Sequence, residues 1–282
     1  MLKNIKQYIK RKIIRIEKQK VLIPILEVHF LEGRSALITG GNSGIGYEIA
    51  RSFLRNGANV IITGRNIDKL NKAKEMLTKE CKNSQKVEIG VLDISNVNTI
   101  KVQFEKIVSS FNGKIDIFVN NAGVNGGKYF PLTSEEEYDL IMDTNLKGMY
   151  FFSQEIVKYM LNNKIEGNIL NVTSSSSLRP AISPYIISKW GENALTRGMA
   201  KKYLKYGIIV NAIAPGSTLT PMLNTNNLNM NLDYSPSKRY AAPEEIGNLA
   251  TVLVSSMGKM VVGDTLYATG GAGILTYDDM GY

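Results

Sequence analysis

Tyr185 and Lys189 are the residues whose type and spacing most directly indicate chemistry, because they lie four positions apart at the start of a predicted helix. Side chains at this spacing are neighbours on one helix face. A free phenol has a pKa of about 10, too high for ready proton release near neutrality, but an adjacent ammonium group lowers that pKa. Such a pair could donate a proton to a carbonyl being reduced, or accept one from an alcohol being oxidised. Taken alone, the same spacing is also typical of an ordinary helix surface.

A run of polar residues, 173–177, precedes this pair and follows a predicted strand. A serine hydroxyl in the run could hold a substrate oxygen beside Tyr185. The alternative is that at least three of the four serines belong to a flexible polar loop.

A glycine-rich turn lies between the first predicted strand and the first predicted helix, with the spacing Gly-x-x-x-Gly-x-Gly. Glycines at such a junction let the backbone approach a pyrophosphate, and the free N–H groups and dipole of the helix favour its negative charge. The turn therefore predicts a dinucleotide site. The residues of the turn that we assign to the cofactor are Gly40, Asn42, Ser43, Gly44, Ile45 and Gly46.

The tip of the second predicted strand indicates which dinucleotide is bound. Folds that prefer NAD usually place an acidic residue there to hold the ribose hydroxyls. Here the tip carries Arg65 and no carboxylate, so NADP(H) is favoured and NAD(H) is the alternative. Arg65 could instead be a solvated side chain near a helix start. Asp93, after the third strand, could accept a hydrogen bond from the adenine amino group, or could be a simple turn residue.

Strand-like and helix-like stretches alternate along the chain. The apolar and β-branched runs that predict strands cover residues 35–39, 60–63, 87–92, 115–120, 168–173, 208–213 and 265–268. The stretches that predict helices cover residues 44–56, 67–81, 97–111, 134–162, 184–206 and 243–255. This alternation implies parallel strands joined by right-handed crossovers. The predicted fold class is α/β, a doubly wound, mostly parallel, seven-stranded Rossmann-type sheet with helices on both faces.

Composition excludes several classes of protein. Of the 282 residues, 44% are hydrophobic and 21% are charged, which is typical of a globular chain. Cys81 is the only cysteine and His29 the only histidine. An internal disulfide and a Cys-rich or His-rich metal centre are therefore excluded, a Ser-His-Asp triad is disfavoured, and we predict no metal site.

The net charge of +9 is concentrated at the N-terminus, where the first 20 residues hold eight lysines and arginines against one glutamate. The remainder is nearly neutral, which argues against a nucleic-acid partner. Leu2, Ile5, Ile9, Ile13 and Ile16 recur at helical spacing. The leader therefore predicts a basic amphipathic helix that could contact a membrane surface or a partner, or could be a frayed, solvated helix.

Residues 21–31 form an apolar run that is too short to span a membrane, and no small-residue cleavage site follows it to indicate a signal peptide. We therefore expect a cytoplasmic protein, with contact to the membrane surface through residues 1–20 as an option. The predicted layout is a leader over residues 1–32 and one Rossmann-fold domain over residues 33–282. Its irregular stretch at about residues 217–242 is a candidate substrate lid.

With these elements in order, residues 33–273 resemble the compact single-domain branch of the short-chain dehydrogenase/reductase family. The motifs that carry the resemblance are Thr39-Gly40-x-x-x-Gly44-Ile45-Gly46, Asn120-Asn121-Ala122-Gly123, Asn145, Tyr185-x-x-Ser188-Lys189 and Pro215-Gly216. The predicted cofactor-binding residues besides the glycine turn are Arg65, Asp93, Ile94, Asn121, Ala122, Gly123, Tyr185, Lys189, Pro215, Gly216, Thr218 and Thr220.

The resemblance implies a catalytic set of Asn145, Ser174, Tyr185 and Lys189, with Ser175 as the fallback for the serine. In this family pattern the serine and the tyrosine hold the substrate carbonyl and the tyrosine protonates it. The lysine binds the nicotinamide ribose, and the asparagine holds a water molecule in a proton relay. The resemblance also implies a homotetramer or homodimer assembled through helices around Asn145 and Tyr185.

The predicted function is an NADP(H)-dependent oxidoreductase that transfers a hydride between nicotinamide and a small-molecule carbonyl or secondary alcohol. The alternative is an inactive NADP-binding scaffold or regulator docked through its N-terminal helix, which the intact catalytic set disfavours. The substrate stays open between an acyl-carrier β-ketone, a sugar-derived ketone and a plain polyol. Lys128, Arg179, Lys238 and Arg239 could meet an anionic substrate or a carrier protein, or could simply be solvated.

Overall fold

The computed structural model describes residues 29–82, 85–111, 113–220, 230–233 and 235–272. The predicted leader helix and residues 221–229 and 234 of the predicted lid lie outside these ranges. Within the described ranges, no helix is both long enough and apolar enough to cross a bilayer.

The chain forms a seven-stranded sheet in the order β3-β2-β1-β4-β5-β6-β7, and each neighbouring pair is parallel. The strands are β1 Ser35–Thr39, β2 Asn59–Gly64, β3 Val87–Val91, β4 Ile117–Asn120, β5 Gly167–Val172, β6 Ile208–Pro215 and β7 Thr265–Ala268. Every residue of β1, β4 and β5 is buried, as expected for a parallel sheet covered on both faces. The predicted fold class is confirmed.

Within the described residues, seven α-helices connect the strands and cover the sheet. They are α1 Gly44–Arg55, α2 Ile67–Thr78, α3 Val97–Ser110, α4 Glu135–Met142, α5 Met149–Asn162, α6 Pro184–Tyr203 and α7 Pro243–Val254. Local sequence explains where several of them begin. A capping box between Ser134 and Glu137 starts α4. At α6, the side chain of Ser183 accepts a hydrogen bond from the backbone N–H of Ile186, and Pro184 fills the first helical position.

Two apolar clusters cover the two faces of the sheet. Phe53 of α1 and Leu70 of α2 are fully buried in one cluster. Phe104 of α3 and Phe152 of α5 are buried in the other, with their rings in edge contact at 5.5 Å. The strand order changes direction between β1 and β4, which are neighbours in the sheet. A crevice forms at the carboxyl ends of strands at such a point.

Three predicted elements need correction. The continuous helix over residues 134–162 is wrong, because a π-helical turn, Asp143–Gly148, separates α4 from α5. The helix predicted over residues 184–206 ends at Tyr203 and is followed by a short 3-10 turn, Leu204–Tyr206. The serine run is an ordered 3-10 turn, Ser175–Leu178, rather than an open polar loop.

Candidate active site at the carboxyl ends of the strands

A cavity of about 320 Å³ lies at the carboxyl ends of the central strands. It reaches from the glycine turn to the start of α6, so the two motifs predicted to do chemistry share one space. The predicted site residues that line it are Gly40, Asn42, Ser43, Gly44, Ile45, Arg65, Asp93, Ile94, Asn121, Ala122, Gly123, Tyr185, Lys189 and Thr220.

The glycine turn can exist only with small residues at its key positions. Gly40 has a φ of +65°, and a Cβ there would lie 3.0 Å from the side-chain nitrogen of Asn121. A Cβ on Gly46 would lie 2.3 Å from the same nitrogen and 2.6 Å from the carbonyl oxygen of Gly40. The first turn of α1 therefore packs directly on the turn and on the loop after β4, which brings its N-terminus to the cavity.

The N-terminus of α1 is suited to a phosphate group. In the described structure, the side chain of Ser43 makes no capping hydrogen bond, and no acidic residue lies in the first helical turn. Gly44 has a φ of +56°, and a Cβ there would meet the Thr220 side chain at 3.5 Å. Backbone N–H groups left uncapped at a helix start favour anions. The residues present thus fit the pyrophosphate of a dinucleotide.

The loop after β4 is tied to β1 through Thr39. The Thr39 hydroxyl accepts hydrogen bonds from the backbone N–H groups of Asn121 and Ala122, each at 3.0 Å. The Asn121 side chain in turn donates to the carbonyl oxygen of Thr39 at 2.9 Å. These bonds hold the two neighbouring strand ends together and fix the wall of the cavity between them.

Arg65 and Asp93 lie at the cavity edge formed by β2 and β3. Arg65 is exposed, and its guanidinium group has no hydrogen-bond or ion-pair partner among the described residues. It is therefore available to an anionic ligand. One carboxylate oxygen of Asp93 accepts hydrogen bonds from the backbone and hydroxyl of Ser95, so Asp93 also forms a local turn.

Tyr185 and Lys189 face the cavity from the first turns of α6. The Lys189 ammonium nitrogen is 5.6 Å from the centre of the Tyr185 ring. Lys189 is buried, and its ammonium group donates hydrogen bonds to both carboxylate oxygens of Glu192, at 2.8 and 3.0 Å. Burial alone lowers the pKa of Lys189, but Glu192 and Tyr185 raise it, and the net pKa lies above the ordinary value for lysine. Lys189 is therefore charged beside the phenol.

Asn145 lies in the π-helical turn and is buried. Its side-chain oxygen accepts a hydrogen bond from the Val124 backbone N–H at 2.8 Å, and its amide nitrogen donates to the Val124 carbonyl at 2.9 Å. The same nitrogen lies 3.2 Å from the Ser188 hydroxyl, which donates to the carbonyl of Tyr185. Asn145 thus connects the loop after β4 to the first turn of α6. Single π-turns of this kind are frequent at functional sites.

Ser174 caps the 3-10 turn that follows β5. Its hydroxyl oxygen accepts a hydrogen bond from the Ser176 backbone N–H at 3.1 Å, and its carbonyl accepts one from the Ser177 hydroxyl at 2.7 Å. Ser174 is buried beside Thr173, and it is Thr173 that lines the cavity. The fallback candidate, Ser175, is the first residue of the turn and is also buried.

The sequence profile of the short chain dehydrogenases matches residues 34–231. The chain belongs to the short-chain dehydrogenase/reductase family. It is therefore an NAD(P)-dependent oxidoreductase that acts on CH–OH or C=O groups of small molecules.

Known proteins match this short-chain dehydrogenase over nearly their whole length, and a solved structure shares its fold. It is 35% identical over 249 residues to the 3-oxoacyl-[acyl-carrier-protein] reductase FabG of Thermotoga maritima, which covers 86% of this chain and 98% of that protein. It is 30% identical over 250 residues to gluconate 5-dehydrogenase of Gluconobacter oxydans, covering 86% and 95%. One similar solved structure is that of a proposed 2-deoxy-D-gluconate 3-dehydrogenase from Agrobacterium tumefaciens with bound NADP. The two chains are 31% identical, the match covers 86% of this chain and 96% of that one, and they superimpose with a TM-score of 0.75.

Some predicted residues of this short-chain dehydrogenase do not line the cavity. They are Gly46, Asn145, Ser174, Pro215, Gly216 and Thr218. The last three support the chain leading to Thr220. The Gly216 backbone N–H donates to the carbonyl of Ala268 at 2.9 Å, and the Thr218 hydroxyl donates to the carbonyl of Gly216 at 3.0 Å.

Two of the basic residues considered for the substrate have structural partners instead. Arg239 makes a two-pronged ion pair with Glu245, at 2.7 and 2.8 Å. Lys238 donates to the backbone carbonyl of Asp233 at 2.9 Å. Both contacts fold the described part of residues 230–242 onto itself and onto the start of α7.

Sequence reasoning missed several lining residues of this short-chain dehydrogenase, namely Gly64, Leu92, Val124, Thr144, Val172 and Thr173. Most directly follow or end a predicted strand, so the rule that ligands bind at carboxyl ends of parallel strands could have found them. Thr144 is different. It is buried in the π-helical turn, and its hydroxyl has no hydrogen-bond partner among the described residues. Glu192 was also missed, although its spacing of three residues from Lys189 is visible in the sequence.

Proposed function

We propose that this protein is an NADP(H)-dependent oxidoreductase in which Tyr185 is the general acid and base for a carbonyl or secondary alcohol substrate. The observation that carries the proposal is the pairing of Tyr185 with a buried, charged Lys189 at the cavity that also contains the glycine turn. NADP(H), when bound, supplies or accepts the hydride.

Each residue of the set has a distinct proposed role. The phenol of Tyr185 donates its proton to the substrate oxygen during reduction, and the Lys189 ammonium group makes that proton easier to release. We assign the substrate oxygen to the hydroxyl of Ser174, which adjoins the lining residue Thr173, and the proton relay to Asn145. Lys189 has three N–H donors and spends two on Glu192, which leaves one for the nicotinamide ribose.

The glycine turn and the neighbouring loops would hold the cofactor. The N-terminus of α1 would bind the pyrophosphate, while Asp93, Ile94, Asn121, Ala122 and Gly123 would line the adenosine side. The segment with Pro215, Gly216, Thr218 and Thr220 would meet the nicotinamide. The unpartnered hydroxyl of Thr144 gives the same wall one further polar contact.

Arg65 supports a preference for NADP(H) over NAD(H), since its free guanidinium group lies at the edge of the cavity. A charge-assisted hydrogen bond to a phosphate contributes about 1.5–3 kcal/mol. We therefore expect Arg65→Ala to raise the KM for NADPH roughly 10- to 100-fold and to leave the KM for NADH nearly unchanged. Lys72→Ala, at an exposed position of α2 outside the cavity, is the matched control. Equal losses for both cofactors would contradict the assignment.

The relatives narrow the substrates worth testing. One is named as a 3-oxoacyl-[acyl-carrier-protein] reductase and another as a gluconate 5-dehydrogenase. Purified protein should be mixed with NADPH and 3-oxoacyl thioesters or keto-sugar acids, and with NADP and polyols, while the absorbance of NADPH is followed. We expect turnover with at least one of these classes. No turnover with any of them, despite NADPH binding, would favour the inactive scaffold instead.

The remaining proposals concern layout and location. We propose one catalytic domain over residues 33–282 with a substrate lid at about residues 217–242, a cytoplasmic location, and a leader that docks on anionic membranes. Positions 1–20 hold eight basic residues and one acidic residue, and this positive charge supports the docking. The leader is tested by sedimentation with anionic vesicles, comparing the full chain with a chain that begins at Gly33. Equal sedimentation of the two would remove the membrane proposal.

A further inference from the structure

Glu192 is a buried acidic residue to which the proposed mechanism gives no role. It is 2% exposed, and both of its carboxylate oxygens lie within 3.0 Å of the Lys189 ammonium nitrogen. A carboxylate with almost no access to water is costly unless a charge compensates it. Here the compensating charge is the lysine that also stands beside the proposed acid, Tyr185.

The surroundings of Glu192 leave Lys189 as its only charged neighbour among the described residues. Helix α6 packs against α4, the π-helical turn, the 3-10 turn after β5, β6 and the 3-10 turn Leu204–Tyr206. The 3-10 turn after β5 and strand β6 contain no ionisable side chains, and Lys205 and Tyr206 are exposed beyond the C-terminal end of the helix. The π-helical turn holds Asp143 and Lys147, which pair with each other at the surface. The charged side chains of α4 are Glu135, Glu136, Glu137 and Asp139. Burial raises the pKa of Glu192 to about 7, and the charge and hydrogen bonds of Lys189 act against that rise.

Glu192 is also held rigidly from behind. Its backbone carbonyl accepts a hydrogen bond from the Thr196 hydroxyl at 2.8 Å, and that hydroxyl accepts one from the Asn171 side chain of β5 at 2.8 Å. Asn171 accepts in turn from Asn120 of β4 at 2.8 Å. A chain of buried hydrogen bonds thus connects this turn of α6 to the two central strands and fixes the backbone from which the carboxylate reaches Lys189.

We propose that Glu192 is a positioning residue that clamps the Lys189 ammonium group at the cavity, holding it protonated and aimed beside Tyr185. The clamp itself stands on geometry, and only its catalytic consequence rests on the proposed function. Two of the three donors of the ammonium group are fixed by the carboxylate, so the direction of the third is fixed as well. Without the carboxylate, burial of Lys189 would be opposed by Tyr185 alone and would favour the neutral form of the lysine.

The clamp can be tested without substrate or cofactor by an NMR titration of Lys189 in protein that carries 13Cε-labelled lysine. The signal of Lys189 is identified as the one that is missing from the spectrum of the Lys189→Arg variant. In the wild type we expect Lys189 to stay protonated up to the highest pH at which the protein is folded. In Glu192→Gln it should titrate at a pH lower by about one unit or more. An unchanged titration would overturn the proposal. If Glu192→Gln does not fold, the wild type decides alone, and a Lys189 pKa below about 10.4 overturns the proposal.

The catalytic consequence is measured by the pH dependence of kcat/KM for carbonyl reduction. Loss of the carboxylate lowers the pKa of Lys189. Reduction needs a charged Lys189 beside the phenol, so the alkaline limb should move to lower pH by about one unit in Glu192→Gln. Glu192→Asp, which keeps the charge, should return the limb toward the wild-type position.

The matched control is Glu155→Gln on α5. This change removes the acid of another Lys–Glu pair with a spacing of three residues, in which the Lys158 nitrogen lies 2.6 Å from a Glu155 carboxylate oxygen. The pair lies outside the cavity. The profile of this variant should be unchanged. A merely structural role for Glu192 would lower the melting temperature and kcat without moving the limb, and that result overturns the proposal. If no reductase activity exists, the lysine titration still decides the clamp, so the two failures are distinguishable.

Discussion

At the scale of single residues, the phenol of Tyr185 is the group on which the proposed chemistry depends. Tyr185 is half-buried at the cavity, and Lys189 beside it is almost fully buried. A charge held in a poorly hydrated site acts on its neighbour more strongly than one in water. The nearby ammonium group is therefore placed to stabilise the negative charge that develops on the phenol oxygen during proton transfer.

Tyr185→Phe removes this proton and little else. We expect kcat to fall about 10²- to 10⁴-fold, the usual loss when a general acid is removed, while NADPH binds with unchanged affinity. Steady-state kinetics with the best substrate and a fluorescence titration of NADPH give the two values. Near-normal turnover in the variant would mean that another group supplies the proton.

The same residues show how far sequence reasoning reached. Tyr185, Lys189 and the glycine turn could be predicted because each is a local pattern whose spacing already fixes its geometry, and the cavity brings them together. Glu192 lies at the right spacing on the same helix, yet a carboxylate three residues from a lysine is usually a solvated pair. Only its burial distinguishes it, and burial depends on how α6 packs against β5 and β6.

At the scale of elements, the site depends on how closely α1 approaches the loop after β4. Gly46→Ala tests this contact, since the new Cβ would lie 2.3 Å from the Asn121 side chain and 2.6 Å from a backbone oxygen. We expect a loss of about 1–3 kcal/mol in the free energy of unfolding, as is usual for overpacking, and weaker NADPH binding. Denaturant unfolding and a binding titration measure the two effects.

Gly198→Ala is the control for a glycine replaced inside a helix. Gly198 lies in α6, and a Cβ there would meet no atom within 4 Å. Alanine should therefore stabilise the protein by about 0.5–1 kcal/mol through helix propensity, with no effect on NADPH. If the two variants behaved alike, close packing at the glycine turn would not be the reason for Gly46.

The elements were predictable to within a few residues at their ends, and the exception is informative. The predicted helix over residues 134–162 is interrupted by the π-helical turn around Asn145. Apolar residues continue at helical spacing through the turn, so periodicity gives no sign of a break. The bonds that accompany it join Asn145 to the backbone of Val124, 21 residues away, on the loop after β4. A long-range contact of this kind cannot be read from a local pattern.

At the scale of the whole molecule, the helices that carry the site also present apolar side chains to the outside. Tyr150 and Phe151 of α5 are 45% and 38% exposed, and Ile187 and Trp190 of α6 are 41% and 49% exposed. Exposed apolar groups clustered on neighbouring elements often mark protein–protein contacts. They support the proposal of a dimer or tetramer assembled through the helices around Asn145 and Tyr185, which would also hold α6 in place.

Phe151→Asp tests this assembly. A charge buried in an apolar interface makes the free energy of association less favourable, and the side chains that face Phe151 in the other subunit lose an apolar contact. We expect the subunit dissociation constant to rise roughly 30-fold or more, the effect of losing about 2 kcal/mol at an interface hot spot. Light scattering after size-exclusion chromatography over a range of concentrations would show smaller species. The control is Val102→Asp, at a 67% exposed apolar position on α3, which should leave the assembly intact. An unchanged mass for Phe151→Asp would place the subunit contacts on another face, and a monomeric wild type would remove the proposed assembly altogether.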